Sequence, residues 1–316
     1  MGALVLRRVA QAILVLWVVT TATFVLIHAA PGGPAVLADP KLSAVERAAI
    51  ERQLGLDQPL AAQYLRWHRN LLRGDLGRSF LYQTPTLDTV LARLPNTLVL
   101  VAAALVVSLL IAVPVGTAVG LRPGTRLDRT VSLVNFTSLA IPPFWFAIVA
   151  ILLMAVRWRL LPAGGMMTPG EPPSAADRFR HLVLPALVLA LPLSAELIRY
   201  LRNAVAAAAG APHVVPARAR GVPGPAIVGR HVTRNALLPV LTVLGLQVPL
   251  LVGGAAITET VFSWPGMGRL GVEAALGRDY PLVMGITLVV AVTVVVANLA
   301  LDLAYGWVDP RIRETA

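Results

Sequence analysis

Residues 94–121 read LPNTLVLVAAALVVSLLIAVPVGTAVGL, twenty-eight residues between Arg93 and Arg122 without a formal charge. A helix of about 20 apolar residues crosses the roughly 30 Å of bilayer hydrocarbon. This run therefore reads as a membrane span. The rest of the chain agrees: of its 316 residues 57% are hydrophobic and 14% charged, with a mean hydropathy of +0.74. A soluble domain carries about a quarter charged residues.

Moving outward from that run, similar intervals recur. Val9 to Ala30 forms a first span, residues 130–156 a third and residues 280–301 a sixth. A signal peptide is the rival reading of the first, since Arg7-Arg8 precede an apolar run that ends in Ala29-Ala30, but the run exceeds an ordinary signal core. Leu182 to Leu201 is a less apolar fourth span, carrying Pro185, Pro192, Glu196 and Arg199. Prolines in a membrane helix imply a kinked helix surrounded by protein. Ala236 to Thr258 is the fifth. The expectation is an all-α polytopic membrane protein with six transmembrane helices and both termini on one side.

Arginine counts choose that side. With the N-terminus inside, short inner segments hold thirteen arginines and short outer loops six, which places both termini in the cytoplasm. The long segment 31–95 is then extracytoplasmic and looks folded. Ser43-Ala44-Val45-Glu46 has the form of a capping box, with Leu42, Val45, Ala49, Ile50 and Leu54 following at helical spacing. After Pro59, Leu60, Tyr64, Trp67, Leu71 and Leu72 are expected on one helix face, with Arg66, Arg69 and Arg73 on the other.

Several chemistries are excluded. The absence of cysteine removes thiolate nucleophiles, disulfides and Cys-ligated metals. The one lysine, Lys41, is not in a Walker A loop, so the chain has no recognisable ATP site. No two of the five histidines share a helical face, and no Gly-x-Ser-x-Gly elbow occurs. We expect no metal site and no catalytic residue. Gly116-Thr117-Ala118-Val119-Gly120 reads as a close helix-packing motif. Among acids within spans, Glu196 lies one turn from Arg199 and reads as an intrahelical pair. Glu259 has no base in sequence before Arg269, and reads either as a polar group on an aqueous pathway or as a structural hydrogen bond.

The most informative segment is 204–235. From Leu201 to Leu237 the chain carries Arg202, Arg218, Arg220, Arg230 and Arg234 with no acid, an uncompensated positive field. Ala217 to Val222 reads as a short helical piece ended by Gly221, Val222-Pro223-Gly224-Pro225 as a turn, and Ala226 to Asn235 as a second helical piece. Such a projection suits a groove on a soluble partner.

The segment resembles the cytoplasmic signature of binding-protein-dependent ABC importer permeases. The peptide branch reads Thr-Ala-Arg-Ala-Lys-Gly-Leu and then Arg-His-x-x-Arg-Asn-Ala-Leu-Leu-Pro. Here stand Pro216-Ala217-Arg218-Ala219-Arg220-Gly221-Val222 and Arg230-His231-Val232-Thr233-Arg234-Asn235-Ala236-Leu237-Leu238-Pro239. The resemblance extends to Leu54-Gly55-Leu56-Asp57-Gln58-Pro59, Gly74-Asp75-Leu76-Gly77-Arg78-Ser79, Glu259-Thr260-Val261-Phe262-Ser263-Trp264-Pro265-Gly266 and Asp309-Pro310-Arg311. Two departures stand out: the acid of the general signature is missing, and Pro216 and Pro225 replace commoner helix formers or polar residues.

The resemblance implies a B-type subunit of a dipeptide, oligopeptide or nickel permease with the type I importer, MetI-like fold. It implies a non-enzymatic chain without cofactor in a bacterial inner membrane. Its implied partners are a homologous second permease, two ATPase subunits (or one fused) that carry ATP and Mg, and an extracytoplasmic binding protein. It divides the chain into a first helix (1–30), an insertion (31–95), a permease core (96–305) and a tail (306–316). Ala217, Arg218, Ala219, Arg220, Gly221, Arg230, His231, Arg234, Asn235 and Pro239 would couple to the ATPases. Glu259, Glu196 and Asn135 are candidates for the translocation path. Two alternatives stay open: a proton-coupled secondary carrier using Glu196 and Glu259, and an importer of nickel chelates or glutathione.

Overall fold

A computed structural model of the chain describes residues 2–38, 40–211 and 219–308. All regular elements among them are helical. Helix α1 is Gly2–Ala29, α2 Ala44–Leu54, α3 Leu60–Leu71, α4 Thr86–Gly120, α5 Arg126–Ala140, α6 Pro143–Ala150 and α7 Ala175–Ala209. A helical turn at Gly224–Ala226 and a π-helical stretch at Ile227–Thr233 lead into α8, Arg234–Val261; α9 is Met267–Leu276 and α10 Tyr280–Val308. Among the described residues four helices (α1, α4, α7 and α10) are long and apolar enough to cross a membrane. Helix α8, 28 residues long, occupies the place of the fifth expected span.

The third span differs from its expectation. Residues 130–156 do not form one rod: α5 and the helix from Pro143 to Arg157 are bent by 100°. Ile141 is extended, and Pro142 and Pro143 supply no N–H to continue the α5 ladder. At about 1.5 Å per residue each arm reaches some 22 Å, short of the hydrocarbon thickness. The second arm widens into a π-helix over Ile151–Arg157.

The starts of three helices obey one local rule. Ser43, Thr125 and Ser174 are extended N-caps whose hydroxyls accept the backbone N–H of Glu46, Asp128 and Asp177, three residues on. At α2 the box is complete, with the Ser43 N–H donating to the Glu46 carboxylate at 2.8 Å. No residue of α2 is buried, however, and Val45 is 77% exposed. In α3, Tyr64, Trp67 and Leu71 are half-buried as expected, but Leu72 caps the helix and faces outward, 90% exposed.

The chain forms two compact units, each discontinuous in sequence. The first comprises Met1–Asn96 and Pro265–Val295. Its core packs Val90 of α4 against Met267, Leu270, Ala274, Leu282 and Ile286. Asp279, fully buried, caps α10: its carboxylate accepts the Leu282 N–H at 3.1 Å, the Leu81 N–H at 2.9 Å and the Ser79 hydroxyl at 2.5 Å.

The second unit holds Thr97–Trp264 and the residues from Val296 on. Helix α7 is its axis, packed chiefly against α8 and also against α5 and α6. Two thirds (67%) of its most apolar window is buried, against 11% for α1, so α7 is the protein-surrounded helix its composition suggests. It runs through Pro185 and Pro192. Beside Pro192, the Ser194 hydroxyl donates to the Ala190 carbonyl at 2.8 Å, and the Ser108 hydroxyl of α4, which donates to the Ala104 carbonyl at 2.6 Å, lies 3.2 Å from the same Ala190 oxygen. Gly116 and Gly120 meet α7 directly, as their spacing predicts. A Cβ at Gly116 would sit 3.0 Å from the Leu201 side chain, and one at Gly120 2.7 Å from the Arg202 carbonyl oxygen.

Candidate functional site

The basic segment begins where α7 ends. Ala217 and Arg218 lie outside the described residues. Ala219, Arg220 and Gly221 form an exposed turn, and Gly221 adopts a left-handed φ of +75°. A Cβ there would meet nothing within 4 Å, so the demand for glycine comes from backbone conformation alone. This matches the expected helix stop at Gly221. The next helical piece starts at Gly224, two residues before expectation, because Pro223 as N-cap and Pro225 in the first turn suit a helix start.

What anchors the segment is an apolar stripe that sequence periodicity does not reveal. Ile227, Val232, Ala236 and Val240 are all buried, at 4%, 1%, 1% and 2% exposure, in one cluster with Leu197, Leu201 and Val205 of α7. The spacing is five and then four and four, which no regular α-helix keeps on one face. The π stretch at Ile227–Thr233 absorbs the extra residue, since its bonds run from i to i+5. Arg230 and His231 lie in that stretch, and Arg234, Asn235 and Pro239 in the first turns of α8. The segment thus leans on α7 through one side and exposes Arg220, Gly221, Pro223 and Gly224.

One arginine of the basic cluster has another partner. The Arg202 guanidinium grips Asp128 at the start of α5, Nε to Oδ1 at 2.5 Å and Nη2 to Oδ2 at 2.6 Å. The positive field is compensated there, a correction to the reading of 201–237 alone. Asp128 was legible as the N3 acid after Thr125, by the rule that identifies Ser43 and Glu46, but its distant arginine was not.

The three path candidates are not brought together. Glu259, fully buried near the end of α8, accepts the Thr97 hydroxyl of α4 at 2.7 Å. Glu196 forms the expected pair with Arg199, at 3.9 Å, and also accepts a hydrogen bond from Gln247 of α8. Gln247 and Glu259 stand twelve residues apart on α8, about 18 Å along its axis. Direct proton exchange between Glu196 and Glu259 is therefore out of reach. Asn135 is half-buried on α5. Among the described residues no cluster of three His, Asp or Glu is placed to hold a metal ion.

The turn after Glu259 explains the motif that follows it. The Trp264 N–H reaches the Glu259 carbonyl at 2.8 Å and the Ser263 N–H the Thr260 carbonyl at 3.2 Å, with Ser263 left-handed at φ +49°. This is a glycine-type helix stop built on serine. Phe262 and Trp264 are buried beside it, and the Gly165 N–H bonds to the Phe262 carbonyl at 2.8 Å. A Cβ at Gly164 would lie 2.4 Å from that carbonyl oxygen.

Known proteins resemble this chain. Residues 112–314 match the family described as binding-protein-dependent transport system inner membrane component, and residues 1–101 its N-terminal companion family. The oligopeptide transport system permease protein AppB of Bacillus subtilis (strain 168) is 40% identical over 314 residues, covering 99% of each chain. The dipeptide transport system permease protein DppB of Escherichia coli (strain K12) is 34% identical over 332 aligned positions, covering 98% of each. Among solved structures, the MetNI methionine ABC transporter in inward-facing form matches with a TM-score of 0.54 at 20% identity, covering 70% of this chain and 96% of that one. That likeness shows a common fold. From its helical architecture, its matched families and relatives that align end to end, the chain belongs to the binding-protein-dependent transport system inner membrane components.

Proposed function

We propose that the chain is one of two permease subunits of an ATP-driven importer, forming with its homologue the translocation path for di- or oligopeptides delivered by an extracytoplasmic binding protein. Peptides are the cargo named for its relatives AppB and DppB. ATP and Mg belong to two ATPase subunits, or one fused pair. The chain lies in the bacterial inner membrane with both termini cytoplasmic, as its arginine distribution favours. Segment 204–235 is the coupling segment. Closure of the ATPases on ATP moves it, and the buried stripe from Ile227 to Val240 carries that movement into α7 and α8.

The observation that carries this reading is the pairing of an exposed turn at Arg220 and Gly221 with an apolar side locked to α7. A loop that only bound lipid headgroups would need no such anchorage. Arg220→Glu and Gly221→Val, each in the assembled complex in proteoliposomes, should insert and assemble yet hydrolyse ATP without matching peptide uptake. Uptake at the wild-type level in both would refute the assignment.

A further inference from the structure

The Asp128–Arg202 pair has no place in the sequence signature, yet it lies where three helices converge on the coupling segment. Asp128 is the third residue of α5, and Arg202 lies on α7 two residues before the segment begins. Both carboxylate oxygens are engaged: Oδ1 takes the Arg202 Nε, and Oδ2 takes the Arg202 Nη2 at 2.6 Å and the Gly124 N–H at 2.8 Å. The Asp128 side chain is 6% exposed and that of Arg202 31%. On the other side of the same turn of α7, Gly120 brings the end of α4 against the Arg202 carbonyl oxygen and Val205. Leu201 and Val205, which flank Arg202, are buried in the cluster that holds Ile227 and Val232 of the segment.

From this we propose that the pair is a rigid clamp that makes the ends of α4, α5 and α7 move as one body when the coupling segment moves, with Asp128 and Arg202 as positioning residues of the transport cycle. The chemistry suits the task. A two-pronged guanidinium–carboxylate contact is planar and fixes an angle as well as a distance. A point contact, such as lysine would make, fixes distance only. Without the clamp, α7 could respond to the segment while α5 stayed behind, and hydrolysis would no longer be matched to opening. The proposal rests on the coupling role of segment 204–235 and adds to it the route by which α5 follows.

The absence of cysteine allows a direct test. Spin labels at Thr130→Cys on α5 and Ala207→Cys on α7, both exposed positions, report whether the two ends part. In the full complex the distance distributions should coincide in the nucleotide-free and ATP-trapped states. Arg202→Lys and Asp128→Asn should broaden them on ATP binding and lower peptide uptake per ATP hydrolysed by about fivefold or more, the lower end of ordinary coupling energies, while the ATPases still co-purify. A wild-type distance that shifts with ATP overturns the clamp, as does wild-type uptake per ATP in both variants. A wild-type shift overturns the clamp even if neither variant assembles. ATPases that never bind the wild-type permease would instead overturn the coupling role of the segment.

Discussion

Glu259 illustrates how a single side chain acquires meaning only from its neighbours. In sequence it is an acid inside an apolar run, suited equally to a pathway or to a hydrogen bond. In the structure it is fully buried and accepts the Thr97 hydroxyl, while its carbonyl closes the left-handed turn at Ser263. Glu259→Ala should remove a buried hydrogen bond between two helices and cost about 1–3 kcal/mol, whereas Glu259→Gln keeps an oxygen in place and should cost less. Thermal unfolding of the purified protein in detergent measures both. Equal melting of Glu259→Ala and wild type would remove the structural role.

At the scale of elements, the bend between α5 and α6 is the clearest departure from hydropathy. A straight helix would separate residues 130 and 148 by about 27 Å, and a 100° bend brings them much closer. Spin labels at Thr130→Cys and Ile148→Cys should therefore report a distance well under the straight-helix value, and replacing Pro142 and Pro143 with alanine should lengthen it. An unchanged short distance in the double alanine variant would show that packing of α6 on α7 and α8, rather than proline, sets the bend. The sequence held much of this architecture, including the positions of the apolar runs, the α2 capping box, the stop at Gly221 and the close approach at Gly116 and Gly120. What it concealed was non-local. Hydropathy cannot distinguish one rod from two arms when both are apolar, and a period of 3.6 cannot find a stripe spaced five, four and four at Ile227, Val232, Ala236 and Val240. Nor does any local rule connect Asp128 with an arginine on another helix.

The whole chain assembles its first unit from residues nearly two hundred positions apart. Ser79 meets Asp279, and the Tyr82 hydroxyl donates to the Glu273 carboxylate at 2.8 Å. Arg269 donates to the other Glu273 oxygen at 2.8 Å. Partial burial alone would raise the Glu273 carboxyl, but the hydrogen bonds from Tyr82 and Arg269, with Arg93 nearby, hold it below its ordinary value of 4.5. Burial, and then the same carboxylate, push the Tyr82 phenol up. A depressed carboxyl stabilises the fold fully above the unfolded glutamate pKa and loses that contribution as pH falls through the folded value. Wild type should therefore lose more thermal stability than Glu273→Gln when pH drops from neutral to below 4.5. Parallel loss in the two proteins would count against it.

The crease at 141–143 has a chemical polarity of its own. Two successive prolines withhold their N–H groups there, while the carbonyls of α5 beyond Thr137 have no helical donor ahead of them. Whatever solvates that crease meets the lone pairs of the last α5 carbonyls on one side and the Phe144 and Trp145 N–H groups that open α6 on the other. A group that both donates and accepts, such as a water molecule or a peptide amide, finds a complementary neighbour on each side of it.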